Sequence, residues 1–203
     1  MGAKEKRTKY KEEFRREILN AARELFINEG YERFSMRRLA EKIDYSATTI
    51  YLYFKDKDDL LFAICEEFFE LFYAHLNHIR SISQDPIETL RQALLYLMEF
   101  GLKNPNQYKV IFFTKSNIYG TQEEFVERES MARNTYFAFR EMVQNCIKAG
   151  RMRDLDVDVI AHTLAIASHG LVTMTLYKAN FLKDRGEVIA QTVVDGLLRG
   201  YQK

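Results

Sequence analysis

At 203 residues, with 47% hydrophobic and 29% charged side chains, the chain has the composition of a water-soluble protein of one large or two small domains. No uninterrupted apolar run approaches a membrane span, the first residues are charged rather than apolar, and two cysteines, Cys65 and Cys146, are too few for a disulfide framework or a zinc cluster. A cytoplasmic protein with buried, reduced thiols is expected. The net charge of +1 conceals an uneven distribution: residues 1–57 hold 14 Lys/Arg against 10 Asp/Glu, and the remainder holds 16 against 19.

Only 2 prolines and 9 glycines interrupt an excess of helix formers, and no alternating apolar run stands out, so the expected fold class is all-α. Residues 1–9 are polar and basic, with Lys4, Lys6, Arg7 and Lys9. They read as an arm without fixed structure when free, either a solubilising tail or a strand of charge that lies along phosphates or in a minor groove. A first helix is predicted over Lys11–Asn28, with Phe14, Ile18, Ala21, Ala22, Leu25 and Phe26 as its buried stripe and Gly30 as its C-cap. Tyr31 and Phe34 should pack the corner, and Ser35 should cap the second helix.

Residues 35–60 carry the most information. Leu39, Ala40 and Ile43 form an apolar stripe at helical spacing, with Ala40 small where two crossing helices must approach, and Ile50 is the next anchor. Asp44 stands where the second helix must stop and a left-handed residue is favoured, which Asp tolerates better than most. Ser46 can then cap a third helix over Ala47–Tyr53. This is the logic of a helix-turn-helix, whose second helix enters the DNA major groove.

The basic N-terminal third fits that reading, because it would draw the unit towards phosphates at long range. Ser46, Ala47, Thr48 and Thr49 lie at the end of the third helix that faces base edges, and threonine can both hydrogen-bond a base and touch a thymine methyl. Lys55 and Lys57 are candidate phosphate clamps. Arg37, Arg38 and the Ser35 hydroxyl are further backbone candidates, with a salt bridge as the alternative for Arg38.

Around this unit stand Ile18-Leu19-Asn20-Ala21-Ala22-Arg23-Glu24-Leu25-Phe26, then Gly30-Tyr31, and downstream Tyr51-Leu52-Tyr53-Phe54-Lys55-Asp56-Lys57-Asp58-Asp59-Leu60. Over roughly the first third of its length the chain resembles the TetR-type (tetracycline-repressor family) bacterial transcription regulators. It departs from their pattern at Asp44, where Gly is commonest, and at Thr48, where a small residue is common. The resemblance implies that Tyr51 reaches a phosphate and that Tyr53 sits beside the DNA backbone, unless its ring closes the small core. It further implies a homodimer, a small-molecule effector and a C-terminal effector cavity.

Beyond the motif, Asp56 should cap a fourth helix over Lys57–Ile79 and Asp85-Pro86 should start a fifth running to Lys103. Asn104-Pro105 opens a short sixth helix ending near Phe113 or Lys115, followed by a loop over 116–120. Thr121 should cap a long seventh helix to Ala149 with Gly150 beyond it, and an eighth (Asp156–Asn180) and ninth (Asp184–Gln202) complete the chain. The expected division is a DNA-binding domain over 1–57, its first nine residues a basic arm, and an effector-binding and dimerisation domain over 58–203.

In that second domain the resemblance points to a pocket lined by Phe72, Tyr96, Phe100, Phe113, Tyr136, Phe139, His169 and Met174, suited to a mainly apolar effector. His169 is otherwise a core histidine. The adjacent Gly170 costs about 1 kcal/mol in a helix interior, so close packing is its expected reason. The last two helices are expected to pair with their copies through Leu164, Leu171, Val193, Gly196, Leu197 and Gly200.

No catalytic constellation, phosphate loop, metal site or cofactor site is read. His162 and His169 stand two turns apart, about 10 Å along a helix, too far to share one zinc ion. The expected function is a homodimeric, ligand-responsive regulator binding a double-stranded DNA operator, with no membrane partner and no enzymatic role. The alternative is a helical interaction or architectural protein that binds DNA without effector control.

Overall fold

The computed structural model describes residues 2–114, 117–177 and 185–203, and among these the chain forms ten α-helices and no strand. They are α1 (Ala3–Glu29), α2 (Met36–Lys42), α3 (Ala47–Tyr51), α4 (Lys57–Ile82), α5 (Pro86–Lys103), α6 (Pro105–Phe113), α7 (Gln122–Glu127), α8 (Met131–Lys148), α9 (Val157–Tyr177) and α10 (Gly186–Tyr201). The all-α expectation stands. The expected seventh helix is two, because Ser130 accepts a hydrogen bond from the Arg133 N–H at 3.1 Å and caps a fresh start, leaving Arg128 extended between α7 and α8. The first helix begins eight residues before Lys11, so the basic arm is helical. Gly2 and Glu5 close its end, with the Gly2 N–H on the Glu5 carboxylate at 2.7 Å. The expected ends at Lys115, Asn180 and Asp184 lie outside the described residues.

Two compact units divide the chain. The first comprises 1–68 and 109–128, the second 69–108 and 129–203. In the first, Ile18, Ala22, Leu39, Ile50, Leu60 and Leu61 are fully or almost fully buried, joining α1, α2, α3 and the start of α4 in one small core. Each of the isoleucines and leucines contributes on the order of 2 kcal/mol by leaving water.

In the second unit α5 is central and packs on α8, α9 and α10 through Leu90, Leu94 and Met98. Ion pairs pin its partners: Arg91 to Asp195 at 2.7 Å, Arg80 to Glu141 at 2.7 Å, and Arg140 to Asp158 at 2.6 Å. The Arg140 guanidinium holds the Asp158 carboxyl below its usual range. Gly101 is required here, since a Cβ on it would stand 2.5 Å from Val172 and 3.0 Å from Tyr108.

Both cysteines are buried, and burial pushes each thiol up to about 12. They are therefore protonated and unreactive at neutral pH. By length and composition α9 could cross a membrane, a test that the core helix of a soluble protein also meets.

Candidate nucleic-acid interface

The turn between α2 and α3 is built by local chemistry. Ser35 caps α2 by accepting the Arg38 N–H at 3.3 Å. Leu39 and Ala40 bury the inner face of α2. Asp44 adopts φ of 57°, the left-handed conformation expected of it, and the Tyr45 N–H then reaches back to the Ala40 carbonyl at 3.0 Å. Ser46 caps α3 through the Thr49 N–H at 3.1 Å. Only five residues long, α3 stops short of the expected Tyr53 and is held by Ile50, which is completely buried.

What α3 leaves outside is specific. Thr48 is exposed, Tyr51 is 53% exposed, and Ala47 is half-buried. Thr49 is half-buried as well, and its hydroxyl lies 2.8 Å from that of Ser46. The free threonine at the reading end is therefore Thr48. Tyr53 sets its ring edge-on to Phe14 at 5.1 Å, while Tyr45 packs on the other side of Phe14 at 4.5 Å. The Tyr53 ring thus packs against the small core while the residue stays half-buried. Leu52, between Tyr51 and Tyr53, is 77% exposed and adds an apolar side chain to this surface that the sequence analysis did not single out.

The flanking cations are engaged within the unit. Arg37 pairs with Glu41 at 2.9 Å and Arg38 with Glu29 at 2.6 Å. Lys57 lies over the Tyr31 ring at 3.9 Å, and the Tyr31 hydroxyl donates to Asp58. Lys55 is exposed. The Arg37–Glu41 pair is exposed and worth at most about 1 kcal/mol, so a phosphate can take over Arg37 at small cost, whereas Glu29 is only 20% exposed and loses its partner if Arg38 turns to a phosphate.

Residues 18–64, from α1 into α4, match the family of bacterial regulatory proteins described as the tetR family. This segment, which holds the helix-turn-helix, therefore carries the TetR-family pattern. An HTH-type transcriptional regulator of Staphylococcus aureus (strain USA300) is 33% identical over 92 residues, covering 45% of this chain and 50% of that protein. The chain thus spans about half the length of the curated relatives it matches. A TetR family transcription regulator from Marinobacter aquaeolei VT8 superposes with TM-score 0.76 at 19% identity, over 97% of this chain and 99% of that one. FadR from Bacillus subtilis, solved in complex with stearoyl-CoA, superposes with TM-score 0.75 at 18% identity, over 91% of this chain and 98% of that one. These likenesses establish the TetR fold along the length of the chain.

The second unit carries most of the residues that resemblance assigned to an effector pocket, and the structure spreads them out. Phe72 is buried and stacks on Tyr96 at 5.2 Å, and His75 stacks on the same Tyr96 at 3.6 Å. The Tyr136 hydroxyl donates to Asp158 at 3.1 Å. Phe100 and Phe139 are half-buried. The His169 Nδ1 shares a hydrogen bond with the hydroxyl of Tyr108, a fully buried tyrosine absent from the expected set. Burial lowers the His169 pKa, so the ring is neutral at pH 7.

Two residues of the set are corrected. Met174 is 56% exposed on the outer side of α9, and Phe113 is 44% exposed and belongs to the first unit. A surface cleft of about 460 Å³ in the second unit is lined by Arg80, Ser83, Gln84, Pro86, Thr89, Met142, Asn145 and Ala149, none of them in the expected set.

The expected dimer residues also separate. Leu164 is completely buried within the subunit and offers no surface, which corrects its assignment. Leu171, Val193 and Leu197 are half-buried, and Gly196 and Gly200 are exposed. Close packing inside the subunit is not the reason for Gly170, since a Cβ there would meet nothing within 4 Å.

Proposed function

We propose that this protein is a homodimeric, ligand-responsive DNA-binding regulator of the TetR family in the cytoplasm, a repressor released from a palindromic operator by a small apolar effector. The observation that carries the reading is the surface of α3, which presents Thr48 and Tyr51 outward at the capped end of a helix-turn-helix. Residues 1–57 form its DNA-binding domain and 58–203 its effector-binding and dimerisation domain. Bases are read by Thr48 and Ala47 and phosphates are held by Tyr51, Lys55, Lys57, Arg37 and Arg38.

Dimerisation is supported by the outer faces of α9 and α10. Val159, Ile166, Met174 and Tyr177 recur along one side of α9 and are each more than half exposed, as is Val188 on α10. Gly170, Gly196 and Gly200 open the same helices to close backbone approach, because a Cβ on any of them meets nothing within 4 Å. Two copies joined there would set two α3 helices in successive major grooves, with half-site centres about 34–36 Å apart.

An apolar effector is supported by the aromatic lining around Phe72 and Tyr96, by the neutral His169–Tyr108 pair as an orienting polar group, and by the acyl ligand of FadR. The effector acts by binding one arrangement of the dimer better than the other, and α4, which contributes to both units, is the lever. Selection of bound sequences from random duplex DNA tests the reading. The expected result is an enriched inverted repeat whose complex is released by a long-chain acyl compound. Enrichment of no sequence sinks the specific-regulator reading.

A further inference from the structure

The first eleven residues of α1 form a charged helix with one face that is basic throughout. Residues 4–13 are all exposed, and Phe14 is the first buried position. Lys4, Arg7, Lys11 and Arg15 fall at i, i+3, i+7 and i+11, which is one face of an α-helix. Glu5, Glu12 and Glu13 lie on other faces. Glu5 is held on the Gly2 N–H, and Glu13 pairs with Lys9 at 3.7 Å. Among the described residues Lys4, Arg7 and Lys11 enter no ion pair. The face is therefore basic without local compensation.

Its direction is fixed by the helix it continues. Ile18 and Ala22 follow in the same phase, at i+14 and i+18, and both are completely buried in the core of the first unit. Arg15 lies 5.0 Å over the Phe54 ring, and Phe14 stands between Tyr45 and Tyr53, the residues on either side of α3. The basic face thus leaves the core on the side of α1 that bears the helix-turn-helix, and continues past it for about 16 Å at 1.5 Å per residue. Because the extension is continuous with a packed helix, it needs no nucleation of its own. This segment precedes residue 18, where the TetR-family match begins.

We infer that the Lys4–Arg7–Lys11 face docks on the phosphates of double-stranded DNA flanking the half-site, extending each protomer's footprint beyond the bases that α3 reads. The inference rests on the DNA-binding reading above. Its basis is charge complementarity: three uncompensated cations spaced along a rigid rod match a polyanionic backbone and provide no means of reading sequence.

The test compares the full chain with a Lys4→Gln/Arg7→Gln/Lys11→Gln variant, whose exposed substitutions keep helix propensity and should leave the melting temperature unchanged. Two duplexes carrying the selected site are used, one trimmed to the site and one extended by about ten base pairs on each side, one helical turn. On the extended duplex the variant should bind more weakly, with a log affinity–log salt slope shallower by about 2.7 per protomer, at about 0.9 per phosphate contact. On the trimmed duplex the two proteins should be alike. Equal slopes on both duplexes overturn the inference while leaving DNA binding intact, and equal weakening on both overturns the flanking placement. A wild-type chain that binds neither duplex removes the DNA reading and the inference together. Loss of binding only to vesicles rich in anionic lipid would assign the face to a membrane surface and overturn it as well.

Discussion

The outer surfaces of α3 and α9 are both exposed, and they are built for opposite partners. The α3 surface is small and hydroxyl-bearing: Thr48 and Tyr51 stand outward, and Arg37, Arg38 and Lys55 are exposed on the segments that precede and follow it. Such groups keep their hydration, and the weak Arg37–Glu41 pair exchanges for a phosphate at little cost. The α9 surface is long and apolar. Only 28% of its most apolar stretch is buried, and Val159, Ile166, Met174 and Tyr177 stand in water. An apolar stripe of this length on a subunit signals a dry contact. Exposure by itself therefore says little about a helix; the chemistry of what is exposed separates a wet, ionic interface from a dry one.

The largest expected effect breaks the dry surface. Ile166 is 69% exposed, so Ile166→Glu leaves the subunit core untouched. In a dimer it would bury a carboxylate without a partner, a penalty of several kcal/mol. The expected outcome is a folded monomer by light scattering and a loss of at least about 100-fold in affinity for an inverted repeat, at about 1.4 kcal/mol per tenfold. A variant that remains dimeric at the same concentration rules out this face.

Two glycines sharpen the contrast within α5 and α9. Gly101→Ala forces a Cβ to 2.5 Å from Val172, a clash inside the core expected to cost about 1–3 kcal/mol. Gly170→Ala meets no atom within 4 Å and should instead gain about 1 kcal/mol of helix propensity, measured in the Ile166→Glu monomer. The two substitutions should move the melting temperature in opposite directions. If Gly170→Ala destabilises the monomer, the free space beside it is not real and the argument for close approach by a second copy fails.

Legibility in the sequence follows the range of the interactions. The turn at Asp44, the caps at Ser35, Ser46, Asp85 and Thr121, and the stripe from Phe14 to Phe26 are set by residues within a turn of one another, and all stand as read. Ser130 was a cap of the same kind, yet it lay inside a strongly helical run without Gly or Pro and was passed over. The partners of His169, the burial of Leu164 and the outward turn of Met174 depend on how distant helices rotate against each other. Composition cannot fix that rotation: a core, a cavity wall and an interface use the same residues. Gly101 and Gly170 show the same limit, since only the packing tells which one is sterically required.

The smallest effects test the wet surface. Thr48→Ala and Tyr51→Phe remove one exposed hydroxyl each and should leave the melting temperature unchanged, because neither hydroxyl supports the fold. Their losses should differ in kind. Thr48→Ala should cost affinity for the selected site and not for random duplex, up to about 1–3 kcal/mol if it reads a base. Tyr51→Phe should weaken both alike, as a phosphate contact does. Lys57→Ala sits at the bottom of the series. In the free protein its ammonium already rests on the Tyr31 ring, so a phosphate must compete with that contact, and the net loss is reduced accordingly. The expected signature is a uniform weakening over all sequences with a salt slope shallower by about 0.9 per protomer. An unchanged slope would leave Lys57 on Tyr31 in the complex as well, and would narrow the phosphate clamp to Lys55, Arg37 and Arg38.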